Sequence, residues 1–137
     1  MEFGHCASLS KYVGAICFVN YGEVLNCSSY VFCAYVEGVS GNICGYNSGT
    51  ISECVNFGLV GNESAGGSAG ICGKNDGKIL NCRNFGVCKP TQEGVAGICY
   101  QNINGIISDC INYGPVDLGV GICYENYGTI THSCNMA

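Results

Sequence analysis

The dipeptide Ile-Cys occurs five times along the chain, at Ile16-Cys17, Ile43-Cys44, Ile71-Cys72, Ile98-Cys99 and Ile122-Cys123, and these cysteines are 27, 28, 27 and 24 residues apart. A second cysteine follows after 10 or 11 residues, at Cys27, Cys54, Cys82, Cys110 and Cys134. An Asn stands three residues after each first cysteine (Asn20, Asn47, Asn75, Asn102, Asn126), with a Gly two or three residues further on (Gly22, Gly49, Gly77, Gly105, Gly128). Self-similarity at such a period marks stacked supersecondary units. A unit this short cannot bury an apolar face alone, but a stack of them can.

The content of the unit decides its secondary structure. Its apolar pieces are short, rich in Ile, Val, Tyr and Phe, and bounded by Gly and Asn. That is strand-and-turn composition, and no segment sustains a helical period. The Asn-x-Gly steps at Asn20, Asn47, Asn75, Asn102 and Asn126 read as bends, because Asn and Gly tolerate positive φ. After the second cysteine the alternation has period two. Cys54, Asn56, Gly58 and Val60 share one face, and Val55, Phe57 and Leu59 the other. The same pattern recurs as Cys82, Asn84, Gly86, Cys88 and as Cys110, Asn112, Gly114, Val116.

These patterns predict an all-β fold: a parallel β-helix-like β-solenoid of about five coils of 24–28 residues. The chain reads as a single repeat domain, 1–137, with coils near 12–38, 39–66, 67–94 and 95–118 and partial coils at 1–11 and 119–137. The Cys/Asn face is expected inside. Thiols pack as small hydrophobes, and stacked amides satisfy one another between coils. The expected interior ladders are Cys27, Cys54, Cys82, Cys110 and Cys134, with Asn56, Asn84 and Asn112. Cys6, Cys33 and Cys88 fall in the slot that Val60 and Val116 hold elsewhere. The 22 Gly and 13 Cys of the chain thus follow from repetition.

Residues 70 to 87 resemble the GLUG repeat, named for Gly-Leu-hydrophobic-Gly: Gly70-Ile71-Cys72-Gly73 stands for its core, followed by Asn75, Gly77, Ile79, Cys82, Asn84 and Gly86. Residues 43 to 60 match almost as well, with Asn42 in place of the first Gly. Copies four and five carry Tyr100 and Tyr124 where the last Gly belongs, and copy one carries Phe18 there and Ser29 for the second Asn. Such repeats occur in large bacterial surface and secreted proteins. The resemblance implies a β-solenoid stalk or binding surface, located at the cell surface or secreted within a longer chain, and it brings no catalytic residues.

Charge and cysteine usage narrow the chemistry. Five basic residues face ten acidic ones, for a net charge of −5. Nucleic acid is not an expected partner, because a basic stripe is missing. Membrane insertion is not expected either, since no apolar run approaches about 20 residues. With 47% apolar residues and a mean hydropathy of +0.24, the chain is not a disordered one. Met1-Glu2-Phe3-Gly4-His5 shows no signal-peptide pattern. The cysteine spacing lacks the close pairs of metal sites, and neither a metal site nor a cofactor is expected. An in-register thiol column and an odd count disfavour a disulfide framework, so a reducing or anaerobic setting is expected.

No catalytic residue is expected. His5 and His132 lie at opposite ends, and Glu53 and Asp109 share a slot that Asn26, Asn81 and Ser133 fill elsewhere. Residues 61–68 lack the Lys of a phosphate loop. The candidate partner contacts are aromatic: Phe18, Tyr46, Tyr100 and Tyr124, facing a protein or a surface glycan. Ordinary stacking along the solenoid is the alternative for these rings. The functional expectation is a structural or adhesive stalk or binding scaffold. Head-to-tail homo-assembly into a fibre is the alternative, and a carbohydrate-active β-helix enzyme is third.

Overall fold

In this computed structural model, the described residues are 5–8, 12–35, 38–61 and 66–137, with the backbone alone described for 5–8 and 33–35. They form an all-β solenoid without helices, in which every strand pairing is parallel. No helix among them is long and apolar enough to cross a membrane.

Each coil contributes one short strand to each of several faces. One face stacks Cys17–Asn20, Cys44–Asn47, Cys72–Asn75, Cys99–Asn102 and Cys123–Asn126. The next stacks Glu23–Leu25, Thr50–Ser52, Lys78–Leu80, Ile106–Ser108 and Thr129–Thr131. A third stacks Ser28–Ser29, Val55–Asn56, Arg83–Asn84, Ile111–Asn112 and Cys134–Asn135. A four-stranded face contains Tyr12–Gly14, Val39–Gly41, Gly67–Ala69 and Val95–Ala96. The pair His5–Ser8 and Phe32–Tyr35 opens a fifth line, and the bridges Val60 to Cys88 and Cys88 to Val116 form another. Four turns separate Cys17 from Cys123 through an unbroken register, Cys17–Cys44–Cys72–Cys99–Cys123.

Period two explains this construction. Alternate residues of each strand point inward, so like residues pile into columns at coil spacing. The core is made of such columns: Ile43, Ile71 and Ile98; Ile51, Ile79 and Ile107; and the two thiol columns between them. All of these isoleucines are fully buried. Short strands leave the turns close to their neighbours in the next coil. A Cβ at Gly86 would overlap the Gly58 carbonyl oxygen, and one at Gly77 would overlap that of Gly49. Gly is required there by contact, not by positive φ.

Candidate functional site

The interior is committed to packing. Asn20, Asn47, Asn75, Asn102 and Asn126 form one amide ladder, each Nδ2 donating to the next Oδ1 at 2.8, 2.8, 2.9 and 2.8 Å. Asn56, Asn84, Asn112 and Asn135 form a second, at 2.8, 2.8 and 2.7 Å. Each thiol of the columns donates to a backbone carbonyl two residues away, as Cys72 does to Lys74 (3.2 Å) and Cys82 to Leu80 (3.3 Å). Burial pushes the Cys72 and Cys99 thiols far up and Cys88 up to about 12. Among the described residues no buried side-chain polar atom lacks a partner, and no group of three His, Cys, Asp or Glu is placed to hold a metal ion.

Several sequence expectations need correction. The chain does bend directly after Asn20, Asn47, Asn75, Asn102 and Asn126, but these residues are ladder members and none of them has positive φ. The left-handed corner lies instead at Asn26, Glu53, Asn81, Asp109 and His132. His132, not Ser133, completes that column, because Cys134 registers with Ile111 and Asn135 with Asn112. Ser133 therefore takes the inward place after Cys110, whose amide donates to its hydroxyl at 3.1 Å. Cys134 points outward and is exposed. Cys27 is only partly buried, because it lies on the outermost coil of its column. The side chains of Cys6 and Cys33 lie outside the described residues, although their backbones register with each other.

The proposed aromatic contacts also divide. Tyr100 is only 5% exposed, its ring lying where a Cβ at Gly67 would fall. It stacks on Tyr124 at 5.4 Å, and Tyr124, like Phe18, is exposed. Tyr46 occupies a different column, in register with Val19 and Lys74. Its phenol donates to Asp76 Oδ2 at 2.5 Å, and that bond pushes it up to about 12. The Lys74 ammonium stands 5.9 Å from the Tyr46 ring centroid.

The longest exterior aromatic column is one that sequence reasoning did not single out. Tyr30, Phe57, Phe85 and Tyr113 stack with centroids 4.9, 5.3 and 4.8 Å apart and planes within 9° of parallel. Phe57 and Phe85 are 43% and 42% exposed. The signal was present: the period-two reading placed Phe57 outward, and the same Cys-x-Asn-aromatic-Gly recurs at Phe85 and Tyr113. Beside the ladder runs a groove of about 400 Å³, walled on its other side by Phe32, Leu59 and Val87 with Gly58 between. A second, polar furrow of about 440 Å³ is lined by Asn26, Glu53, Val55, Asn81 and Arg83. No family model matches the chain, and no curated protein or solved structure matches it either.

Proposed function

We propose that the chain is a structural β-solenoid segment, a stalk that also serves as an adhesive scaffold through its exterior aromatic face. The observation that carries this reading is the Tyr30–Phe57–Phe85–Tyr113 ladder, which stacks rings on four successive coils and leaves Phe57, Phe85 and Tyr113 exposed. Contiguous exposed apolar surface of this kind marks interaction sites. The interior side chains are engaged in ladders and leave the outside columns to meet partners. The likeness of residues 70 to 87 to the GLUG pattern supports a place at a bacterial surface or among secreted proteins. The test is binding of the 137-residue chain to a glycan array and to surface-protein extracts, with Phe57→Ala/Phe85→Ala in parallel. Binding that the double variant loses, with its fold kept, supports the adhesive reading. If neither chain binds and electron microscopy shows fibres, head-to-tail assembly replaces it.

A further inference from the structure

We propose that the two interior thiol columns bind soft, two-coordinate monovalent cations, Cu(I) or Ag(I), each ion held in line between the sulfurs of successive coils. The inference is independent of the exterior contact face.

The columns are continuous. Cys17, Cys44, Cys72, Cys99 and Cys123 are backbone partners from coil to coil. Cys27, Cys54, Cys82 and Cys110 directly precede the registered residues Ser28, Val55, Arg83 and Ile111. All of them are free thiols. Their orientation also repeats. Cys17, Cys44, Cys72, Cys99 and Cys123 each donate to the carbonyl two residues ahead, at 2.9, 3.1, 3.2, 3.3 and 3.2 Å. Cys27, Cys54, Cys82 and Cys110 each donate to the carbonyl two residues behind, at 3.4, 3.3, 3.3 and 3.4 Å. One bond repeated gives one rotamer repeated. The sulfurs of a column therefore follow one another at the coil spacing, about 4.8 Å.

That spacing discriminates between the bonds two sulfurs can share. A disulfide requires about 2.05 Å, and the register would have to give way to reach it. Two metal–thiolate bonds of about 2.3 Å, placed in line, span about 4.6 Å. An ion between coils thus fits the stack as it stands. Each gap offers two sulfurs, and among the described residues no group of three His, Cys, Asp or Glu is placed to hold a metal ion. Zinc takes four ligands. Cu(I) and Ag(I) are satisfied by two in line, and thiolate ligands select Cu(I).

Charge balances as well. Insertion of an ion breaks one S–H bond, sends its proton to solvent and leaves the ion bonded to the sulfurs on either side. One monovalent ion replaces one proton, so a column gains no net charge and the cost of burying one is avoided. The five thiols of the first column leave four gaps and the four of the second leave three. A filled column keeps one proton on an end thiol. Ions enter at the ends, where Cys17, Cys27 and Cys123 are only partly buried.

The experiment titrates the reduced 137-residue chain, without oxygen, with the acetonitrile complex of Cu(I), with Ag(I) and with Zn(II). Ultraviolet thiolate-to-metal absorbance counts bound ions, a weakly buffered pH recording counts released protons, and thermal unfolding reports stability. Cu(I) and Ag(I) are expected to saturate, to release one proton per ion and to raise the midpoint, because the folded stack alone holds sulfurs in line. Zn(II) is expected to leave the midpoint unchanged. Cys72→Val removes two gaps from the first column and Cys82→Val two from the second, so each should bind two ions fewer than the native chain. Val suits a thiol's place, as Val60 and Val116 show in the line they share with Cys88, and circular dichroism checks each fold. Cys88→Val, with valines on both sides, should bind as many ions as the native chain. Exposed Cys134 contributes alike to every chain and drops out of these differences. The proposal is overturned if both column variants bind as many ions as the native chain, if Cu(I) and Ag(I) lower the midpoint, or if Zn(II) raises it equally.

Discussion

Asn84 shows what one interior residue does. Its Nδ2 donates to Asn112 Oδ1 (2.8 Å) and to the Gly86 carbonyl (3.0 Å), while its Oδ1 accepts from Asn56 Nδ2 (2.8 Å) and Gly86 N (3.1 Å). Aspartate has nearly the same shape but no amide donor. Asn84→Asp would set a carboxylate oxygen against Asn112 Oδ1 in a buried place, at a cost of about 3 kcal/mol at pH 7. Urea unfolding at pH 7 and pH 4 should show that loss and its partial recovery in acid, where the protonated carboxyl donates again. The thiols give a second residue-scale expectation. Burial raises Cys72 and Cys99 far above the ordinary thiol value of 9.0, and Cys88 up to about 12. In alkali the unfolded chain loses these protons first, so the folded state binds more of them. Stability therefore holds below pH 9 and falls as pH rises from there through about 12, by up to about 1.4 kcal/mol per pH unit for each such thiol. Urea midpoints between pH 8 and 11 check the sign. A thiol reagent at neutral pH should modify exposed Cys134 rapidly, and Cys72 and Cys99 only on unfolding. The place of Cys134 was not legible from spacing. Copies four and five both separate their cysteines by 11 residues. In copy four the extra residue lies between Asn102 and Gly105, and in copy five the cysteine has moved one place past the inward slot. Cys suits either side of a strand, so residue type alone does not distinguish the two cases.

The strand and its turn form the next scale. Inward and outward columns were readable because period two on one coil must repeat on every other, and Asn56, Asn84 and Asn112 are all fully buried. The turns were less readable. Asn-x-Gly suggests a positive-φ bend, yet the left-handed residues are a mixed set, Asn26, Glu53, Asn81, Asp109 and His132. Their position at a corner imposes that conformation even on Glu53, whereas the Asn, Asp and His members also favour it intrinsically. The glycines record the spacing between coils. Gly86→Ala should cost more than about 2 kcal/mol because backbone would have to move, whereas Gly22→Ala, with open space around it, should stay within about 0.5 kcal/mol. Comparison of the two unfolding midpoints separates contact from conformational freedom. The exterior ladder follows from the same repetition. Once Phe57 is outward, Phe85 and Tyr113 must stack beside it, at 5.3 and 4.8 Å.

At the scale of the molecule, coils meet only their neighbours in the stack, so stability is a sum of nearest-neighbour terms. The coil ending in Cys134–Asn135 is largely exposed, while the Ile71–Asn84 coil is buried on both sides. Hydrogen exchange should therefore be slowest at Cys72 and Ile79 and fastest at Thr129 and Cys134. Equal protection at these sites would mean that the array unfolds as a single unit. The amide ladders have one further effect. Backbone bonds between coils run both ways: Cys17 N donates forward to Ile43 O, and Ser48 N donates backward to Asn20 O. Their dipoles largely cancel, as in sheets generally. The side-chain bonds do not alternate. From Asn20 to Asn126 and from Asn56 to Asn135 every Nδ2 points toward the later coil. The stack is thus a vector, with the positive end of its aligned amides toward Asn126 and Asn135. Two such bodies side by side in opposite senses attract electrically, and two placed end to end attract only when the later coils of one meet the earlier coils of the other.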